Sequence, residues 1–156
     1  MKFAHISDTH LGQRQYHLPV REQDIYDALK QTVNKSIEEK VDFVIFSGDI
    51  FQDKRPPTEA ILLLMQQLIL LKKNNIQSYF ILGDHDKPKE RANSIAWLYS
   101  MTNNSHYIGD GEPTKFGDVL IIGLDHHDEG KDRDALLEKF KEIDLLAKDH
   151  TGHKIL

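Results

Sequence analysis

Three short clusters of carboxylate and imidazole side chains each follow an apolar stretch of this sequence. In chain order, the clusters contain Asp8 and His10, then Asp49, then Asp84 and His85. Carboxylate oxygens and imidazole nitrogens suit divalent manganese, iron, zinc or magnesium better than soft metals. Ligands in an open α/β sheet bind beyond the carboxyl ends of its strands, so these clusters are expected to converge on one site. A carboxylate such as Asp49 can bridge two cations about 4 Å apart, an arrangement that activates water and clamps a phosphoryl group.

The hydrophobic pattern predicts alternating strands and helices that would position these clusters. Strands are predicted at 2–6, 41–47, 76–82, 107–108 and 119–124, with a further one beginning at 153. Helices are predicted at 21–40, from 58 to about 71, at about 92–102 and at 131–148. Residues 115–118 are interpreted as a turn, and the last helix is expected to bury Leu136, Leu137, Phe140, Ile143 and Leu146. This order favours a layered α/β domain with a mostly parallel sheet.

The composition of the chain limits the classes of protein to which it can belong. Its 156 residues suit one domain. Charged residues make up 29%, and no apolar run approaches the ~18 residues that a membrane span needs. The first residues lack the features of a secretory signal, so a cytoplasmic location is expected. Because the chain has no Cys, disulfides, thiolate metal sites and cysteine nucleophiles are excluded.

The charge balance bears on nucleic-acid binding. A formal net charge of −5 argues against a general nucleic-acid coat protein, which would be strongly basic. Bound divalent cations would reverse that balance locally, at the place where a phosphate must bind. The acidic total therefore does not exclude an enzyme that acts on nucleic acid.

The three clusters also carry a family resemblance. Asp8-Thr9-His10, Gly48-Asp49 and Gly83-Asp84-His85-Asp86 resemble the first three motifs of the calcineurin-like metallophosphoesterases. With Arg21-Glu22, Val41-Asp42-Phe43 and Arg55-Pro56 in register, residues 1–12 resemble archaeal members of the meiotic-recombination nuclease family, the relatives of bacterial SbcD. The resemblance runs from residue 1 to about 98. It implies a layered metallophosphoesterase fold, with residues 1–156 forming the N-terminal part of a nuclease domain that is truncated before its capping domain and later metal motifs.

The resemblance assigns a role to each cluster. Asp8 and His10 would hold a first manganese ion, Asp49 would bridge, and Asp84 would help to hold a second. His85 would contact the scissile phosphate or protonate the leaving oxygen. The implied function is a manganese-dependent DNA exonuclease and endonuclease of double-strand-break repair, expected to be inactive as this fragment. Two positions depart from the family pattern, because Asp84 stands where Asn is usual and Gln52 where His is common.

The resemblance also implies partners. DNA-binding candidates are Arg14, Arg21, Lys54, Arg55, Lys87, Lys89 and Arg91, although each is equally compatible with an ordinary solvated charge. Family members form homodimers through a helical bundle, for which the candidate contacts are Ile61, Leu64, Met65, Leu68, Trp97 and Met101. Packing of these apolar helices inside their own domain is the alternative. Full-length members also bind an SMC-like ATPase of the Rad/SbcC type and would be associated with the nucleoid.

Other functions remain open from the sequence. A phosphomonoesterase or cyclic-nucleotide phosphodiesterase of the same superfamily would use the same clusters. A non-catalytic dimerisation or scaffold module would explain the absence of the later metal motifs. The later histidines His126, His127, His150 and His153 are expected to be solvated rather than to replace missing ligands.

Overall fold

The predicted ligand clusters lie at one edge of a four-stranded parallel sheet. The computed structural model describes residues 1–87, 97–127 and 129–156. The sheet contains β1 (Phe3–Ile6), β2 (Phe43–Ser47), β3 (Gln77–Ile81) and β4 (Ser105–Tyr107), paired in that order. Helices α1 (Pro19–Glu38) and α2 (Thr58–Lys73) follow β1 and β2. Because all four strands are parallel, their carboxyl ends meet at the same edge.

Alternate residues of β2 are buried on opposite faces of the sheet. Val44 and Phe46 belong to a cluster of buried side chains from α1 and α2, whereas Phe43 and Ile45 face the opposite way and contact Val119. Side chains of successive strand residues point to opposite faces of a sheet. The nearly continuous apolar run of β2 is therefore that of a strand buried on both sides.

A second sheet covers the face that points away from α1 and α2. It contains β5 (Thr114–Phe116), β6 (Val119–Ile121) and β7 (His153–Ile155), with β5 antiparallel and β7 parallel to β6. On its outer side, Leu120 and Ile122 pack against Ile143 and Ala147 of α4 (Glu129–Ala147). The layers thus run helices, parallel sheet, mixed sheet, helix, which confirms the layered α/β prediction and adds a separate second sheet.

Two local predictions need correction. The turn predicted at 115–118 is confined to residues 117 and 118, because 115 and 116 continue β5; Gly117 has a φ of +58°. The apolar side of the last helix is only partly buried. Ile143 is 5% exposed, but Leu137, Phe140 and Leu146 are about half exposed, because the three-stranded sheet offers α4 a narrow surface.

The other element predictions were confirmed to within a few residues. Pro19 lies in the first turn of α1, where its missing N–H leaves no hydrogen bond unmade. Within the predicted helix at 92–102, the structure describes α3 (Trp97–Ser100), and residues 92–96 lie outside the described part. Among the described residues, every helix is too short or too polar to cross a bilayer.

Candidate metal centre

The loops that carry the first two clusters run side by side beyond the ends of β1 and β2. The backbone N–H of Asp8 donates to the carbonyl of Gly48 at 3.2 Å, and the N–H of His10 donates to that of Asp49 at 2.9 Å. Leu11 is fully buried and continues the pairing as a bridge to the second loop. The two loops therefore behave as an extension of the sheet, which fixes their backbones relative to each other.

Three of the predicted ligands adopt left-handed backbone conformations. The φ angles are 55° for Asp8, 42° for His10 and 48° for Asp49. Asp and His are among the non-glycine residues that tolerate this region best, but each such residue still costs about 1–3 kcal/mol. The hydrogen bonds between the two loops hold these conformations. Backbone strain is thus present at three of the residues that are predicted to bind cations.

The side chains of His10, Asp49 and His85 come together. Each offers one ligand atom, and these atoms all lie within 4.8 Å of one another. His10 Nε2 lies 3.9 Å from Asp49 Oδ2, too far for a hydrogen bond but suitable for two ligands of one cation. The His10 and His85 rings meet edge to face, with centroids 5.0 Å apart. The three side chains therefore face a common point.

The polar atoms of this group fit a bound cation. His10 Nδ1 is buried and has no hydrogen-bond partner among the described residues. A buried polar atom without a partner costs about 1–3 kcal/mol. Two imidazoles and a carboxylate are the donor set expected for manganese, iron or zinc.

The remaining predicted ligands border the same region. Asp8, Asp49 and Asp84 line one cavity of about 240 Å³. Asp84 and His85 also line a second cavity of about 590 Å³, together with Gln52 and its neighbours. The structure therefore brings all five predicted site residues to one edge of the sheet.

His85 is fixed in a defined tautomer. Its Nδ1 lies 2.5 Å from the carbonyl oxygen of Gln52, and because a carbonyl can only accept, Nδ1 must carry the proton. The backbone N–H of His85 donates to Asp49 Oδ1 at 3.2 Å. The hydrogen bond to Gln52 raises the pKa of His85, and the charges of Asp49 and Asp84 raise it further. Nε2 is consequently the ring nitrogen that remains available to contact a bound ion or substrate.

Asp86 orients the second and third loops rather than binding at the site. Its side chain is 3% exposed, and burial raises the pKa of its carboxyl. The carboxylate accepts hydrogen bonds from the backbone N–H groups of Ile50 (3.2 Å), Phe51 (3.2 Å) and Gly83 (3.1 Å). One side chain thereby ties the loop after β2 to the loop after β3.

Two glycines let these loops cross at close range. A Cβ on Gly83 would lie 1.9 Å from Asp49 Oδ1, and one on Gly48 would lie 2.8 Å from the backbone nitrogen of Gly83. Gly48 also has a φ of +82°, which favours glycine. Neither position has room for a side chain without moving Asp49 or its loop.

A family comparison agrees with this arrangement. The model of the calcineurin-like phosphoesterase family matches residues 1–154. The chain belongs to this family. A buried parallel sheet with carboxylate and imidazole ligands at its carboxyl edge is therefore the phosphoesterase core, and the resemblance stated from the motifs is confirmed.

Individual relatives of the chain carry one shared protein name. The chain is 37% identical to DNA double-strand break repair protein Mre11 of Methanocaldococcus jannaschii over 155 residues, which is 96% of this chain and 41% of the relative. It is 35% identical to the protein of that name from Methanococcus maripaludis, over 99% of this chain and 41% of the relative. The Saccharolobus solfataricus protein is 48% identical over 91 residues, 58% of this chain and 24% of the relative. The chain thus spans about two fifths of the first two relatives.

The predicted DNA-binding residues of this phosphoesterase lie in different surroundings. Lys54 and Arg55 line the cavity that also contains Asp84 and His85. Arg21 pairs with Asp24 of its own helix at 3.3 Å. Lys89 and Arg91 lie outside the described residues. Lys54 and Arg55 are therefore the described basic residues that share a cavity with the metal centre.

Arg14 is held by a buried carboxylate. Its Nε donates to Glu22 Oε2 at 2.5 Å, while the hydroxyl of Tyr26 donates to Glu22 Oε1 at 2.6 Å. Glu22 is 6% exposed, and the bonds from Tyr26 and Arg14 lower its pKa. The sequence shows Arg21-Glu22 only as part of a family motif, so it gives no sign that Glu22 anchors the loop after His10.

The predicted dimer contacts are only partly available. Leu64 and Leu68 are 1% and 2% exposed, because they pack into the core of their own domain. This corrects the prediction for those two residues. Ile61 and Met65 are half-buried, and Met101 is 74% exposed. The side chain of Trp97 lies outside the described part of the structure.

The later histidines are not drawn into the three-residue ligand group. His126 and His153 are exposed, His127 Nδ1 lies 2.6 Å from the carbonyl of Asp125, and His150 Nε2 lies 2.8 Å from that of Asp118. Among described residues, the ligand group contains His10, Asp49 and His85 alone. That the later histidines do not replace missing ligands stays a prediction, since His126 lines the cavity that contains Asp8, Asp49 and Asp84.

Proposed function

We propose that this chain carries the first part of a manganese-dependent nuclease centre, which hydrolyses DNA phosphodiester bonds in double-strand-break repair. The observation that supports the proposal is the grouping of His10, Asp49 and His85 at the carboxyl ends of adjacent parallel strands. Relatives named for DNA double-strand break repair match almost the whole chain. Residues 1–156 would form the N-terminal part of the nuclease domain, and the capping domain and later ligands would belong to the complete protein.

In this proposal Asp8 and His10 hold one manganese ion, Asp84 contributes to a second, and Asp49 bridges them. Bound there, the two ions would lower the pKa of an attacking water and neutralise charge on the phosphate. His85 keeps its Nδ1–H on Gln52, which leaves Nε2 to contact the phosphate or to give a proton to the leaving oxygen.

Manganese binding provides the first test. Isothermal titration of the purified chain with Mn²⁺ should give saturable binding, weakened by about tenfold or more in His10→Ala and Asp49→Asn. His153→Ala removes an exposed histidine from β7 and serves as the matched control. A parent chain that binds no Mn²⁺, or a His10→Ala variant that binds like the parent, contradicts the proposal.

Substrate hydrolysis distinguishes the candidate reactions. The isolated chain should hydrolyse DNA poorly, since the later ligands of the proposed centre would belong to the complete protein. Hydrolysis of a chromogenic phosphate monoester without cleavage of DNA would instead favour a phosphomonoesterase or cyclic-nucleotide phosphodiesterase. Weak binding of a single Mn²⁺ with no hydrolysis of either substrate would favour a dimerisation or scaffold module.

Lys54 and Arg55 are proposed to contact DNA phosphates. Both line the cavity that contains Asp84 and His85, so a phosphate at the metal centre would lie within their reach. Replacing both by Ala should reduce the slope of log binding constant against log salt by about one to two. Lys141→Ala, which removes an exposed charge from α4, should leave the slope unchanged. An unchanged slope in the double variant would show that neither residue contacts a DNA phosphate.

A homodimer through α2 is proposed as well. The exposed Leu62 and Ile69 and the half-buried Met65 recur at spacings of three and four residues, which places them on one side of the helix. Sedimentation of Leu62→Asp should give a monomer under conditions in which the parent is dimeric. Leu145→Asp on α4 is the control, since Leu145 is also exposed, at 70% against 56% for Leu62. The ATPase of the Rad/SbcC type and an association with the nucleoid are proposed for the complete protein.

A further inference from the structure

Asp125 lies outside the metal centre but contacts both sides of the turn at 83–86, which carries Asp84 and His85. Its side chain is 9% exposed. Oδ1 accepts the backbone N–H of Leu82, which precedes the turn, at 2.8 Å. The ammonium group of Lys87, which follows the turn, lies 3.6 Å from Oδ2. One carboxylate therefore contacts the entry and the exit of the turn.

The surroundings of Asp125 fix the position of this carboxylate. Oδ2 also accepts the hydroxyl of Tyr107 at 2.8 Å, and the backbone N–H of Asp125 donates to the carbonyl of Gly109 at 3.0 Å. A Cβ on Gly109 would lie 1.8 Å from Asp125 Oδ1, so the carboxylate fills the space that this glycine leaves. The carboxylate is thus held by a hydroxyl, a backbone bond and close packing.

His126 repeats the same contacts through its backbone. Its N–H donates to the carbonyl of Leu82 at 2.9 Å, and its carbonyl accepts from Lys87 Nζ at 2.7 Å. Asp125 and His126 together satisfy both backbone groups of Leu82. The two peptides that flank Leu82 are thereby oriented from outside the turn, the preceding one by Asp125 and the following one by His126.

The orientation of these two peptides affects the metal centre, because Leu82 leads directly into Gly83. The Gly83 backbone packs so closely on Asp49 that a Cβ there would lie 1.9 Å from Asp49 Oδ1. We propose that Asp125 is a positioning residue, which holds the 83–86 turn against Asp49 and so sets the relative placement of Asp49, Asp84 and His85. The effect on cation affinity depends on the proposed function, whereas the effect on the turn does not.

Amide hydrogen exchange by NMR, without added metal, tests the positioning step. In Asp125→Ala the Leu82 amide loses its acceptor and should exchange about tenfold faster than in the parent. In Asp125→Asn the amide oxygen still accepts from Leu82, so exchange should stay within about threefold of the parent. The Val44 amide, in the centre of β2, should be unaffected in both variants and reports global unfolding.

Mn²⁺ titration of the same proteins tests the functional step. Asp125→Ala should bind Mn²⁺ about tenfold more weakly than the parent, and Asp125→Asn should recover most of that loss. Lys141→Ala, which removes an exposed charge from α4, is the control and should bind Mn²⁺ like the parent. If the alanine variant does not fold, Asp125→Glu replaces it, because the added methylene displaces the acceptor.

Four outcomes overturn the inference. The first is an unchanged exchange rate of the Leu82 amide in Asp125→Ala, and the second is an equal increase in exchange rate at Leu82 and Val44. The third is a Leu82 amide that exchanges as fast in Asp125→Asn as in Asp125→Ala. The fourth is an unchanged Mn²⁺ affinity of Asp125→Ala despite faster exchange of its Leu82 amide. Failure of the parent to bind Mn²⁺ contradicts the proposed function instead. The exchange rates then decide the positioning role alone.

Discussion

Replacing Gly83 by Ala adds one methyl group where the loops after β2 and β3 cross. The new Cβ would lie 1.9 Å from Asp49 Oδ1 and 2.5 Å from the Asp49 backbone nitrogen. Cβ atoms essentially never lie closer than 3.0 Å to another heavy atom, so the Asp49 carboxylate must move by about 1 Å. Ligand geometry tolerates only about 0.5 Å of error. We expect Mn²⁺ affinity to fall by about tenfold to hundredfold.

Stability should fall in the same variant. Inserting a methyl group into a packed site typically costs about 1–3 kcal/mol, because neighbouring atoms must be displaced. The hydrogen bond from the His85 N–H to Asp49 Oδ1 should also lengthen, since the acceptor is the atom that is pushed away. Urea unfolding in the presence of a chelator measures the first effect, and the His85 amide shift measures the second.

Gly117→Ala provides the matched control for this variant. Gly117 has a φ of +58°, but a Cβ added there would have no described atom within 4 Å beyond its chain neighbours. The control should therefore lose about 1 kcal/mol of stability through backbone strain without a change in Mn²⁺ affinity. A Gly83→Ala protein with the parental Mn²⁺ affinity would refute the argument that Gly83 sets the position of Asp49.

Three further predictions concern charge. Asp84→Asn removes a carboxylate from the cavity shared with Asp8 and Asp49, so the metal-free protein should unfold at a higher temperature and Mn²⁺ should bind about tenfold more weakly. Because the folded-state pKa of His85 is raised above 6.5, its contribution to stability is complete below that value and is lost as the pH rises through the folded pKa. The excess stability of the parent over His85→Gln, measured in chelator by urea unfolding, should shrink accordingly. Glu22 has a lowered pKa, so Glu22→Gln should cost about 1–2 kcal/mol near neutral pH, a difference that disappears as the pH falls below 4.5.

The sequence predicted the site because parallel strands impose a simple rule. Once β1, β2 and β3 were read as parallel neighbours, residues just beyond their ends had to meet at one edge of the sheet. Asp49 follows the central strand of those three, and in the structure its side chain lies beside those of His10 and His85. Local spacing and strand order were sufficient for this part of the site.

Long-range contacts were not readable from the sequence. Asp86 and Asp125 look like ordinary loop carboxylates, yet their partners in the loop after β2 and in Leu82 are 36 and 43 residues away. The exposed apolar residues of α4 were misassigned for a related reason. Helical periodicity gives the side of a helix but does not give the width of the surface that it covers.

The structure assigns the placement of Asp49 largely to backbone packing. Its left-handed conformation, its contact with Gly83 and the bonds from Asp86 to the loop after β2 act before any cation is present. A site prepared in this way loses little conformational entropy when a cation binds. The cost appears as backbone strain at Asp8, His10 and Asp49 in the metal-free protein. A bound cation would offset the mutual repulsion of the carboxylates, so occupancy of the site and folding stability should rise together.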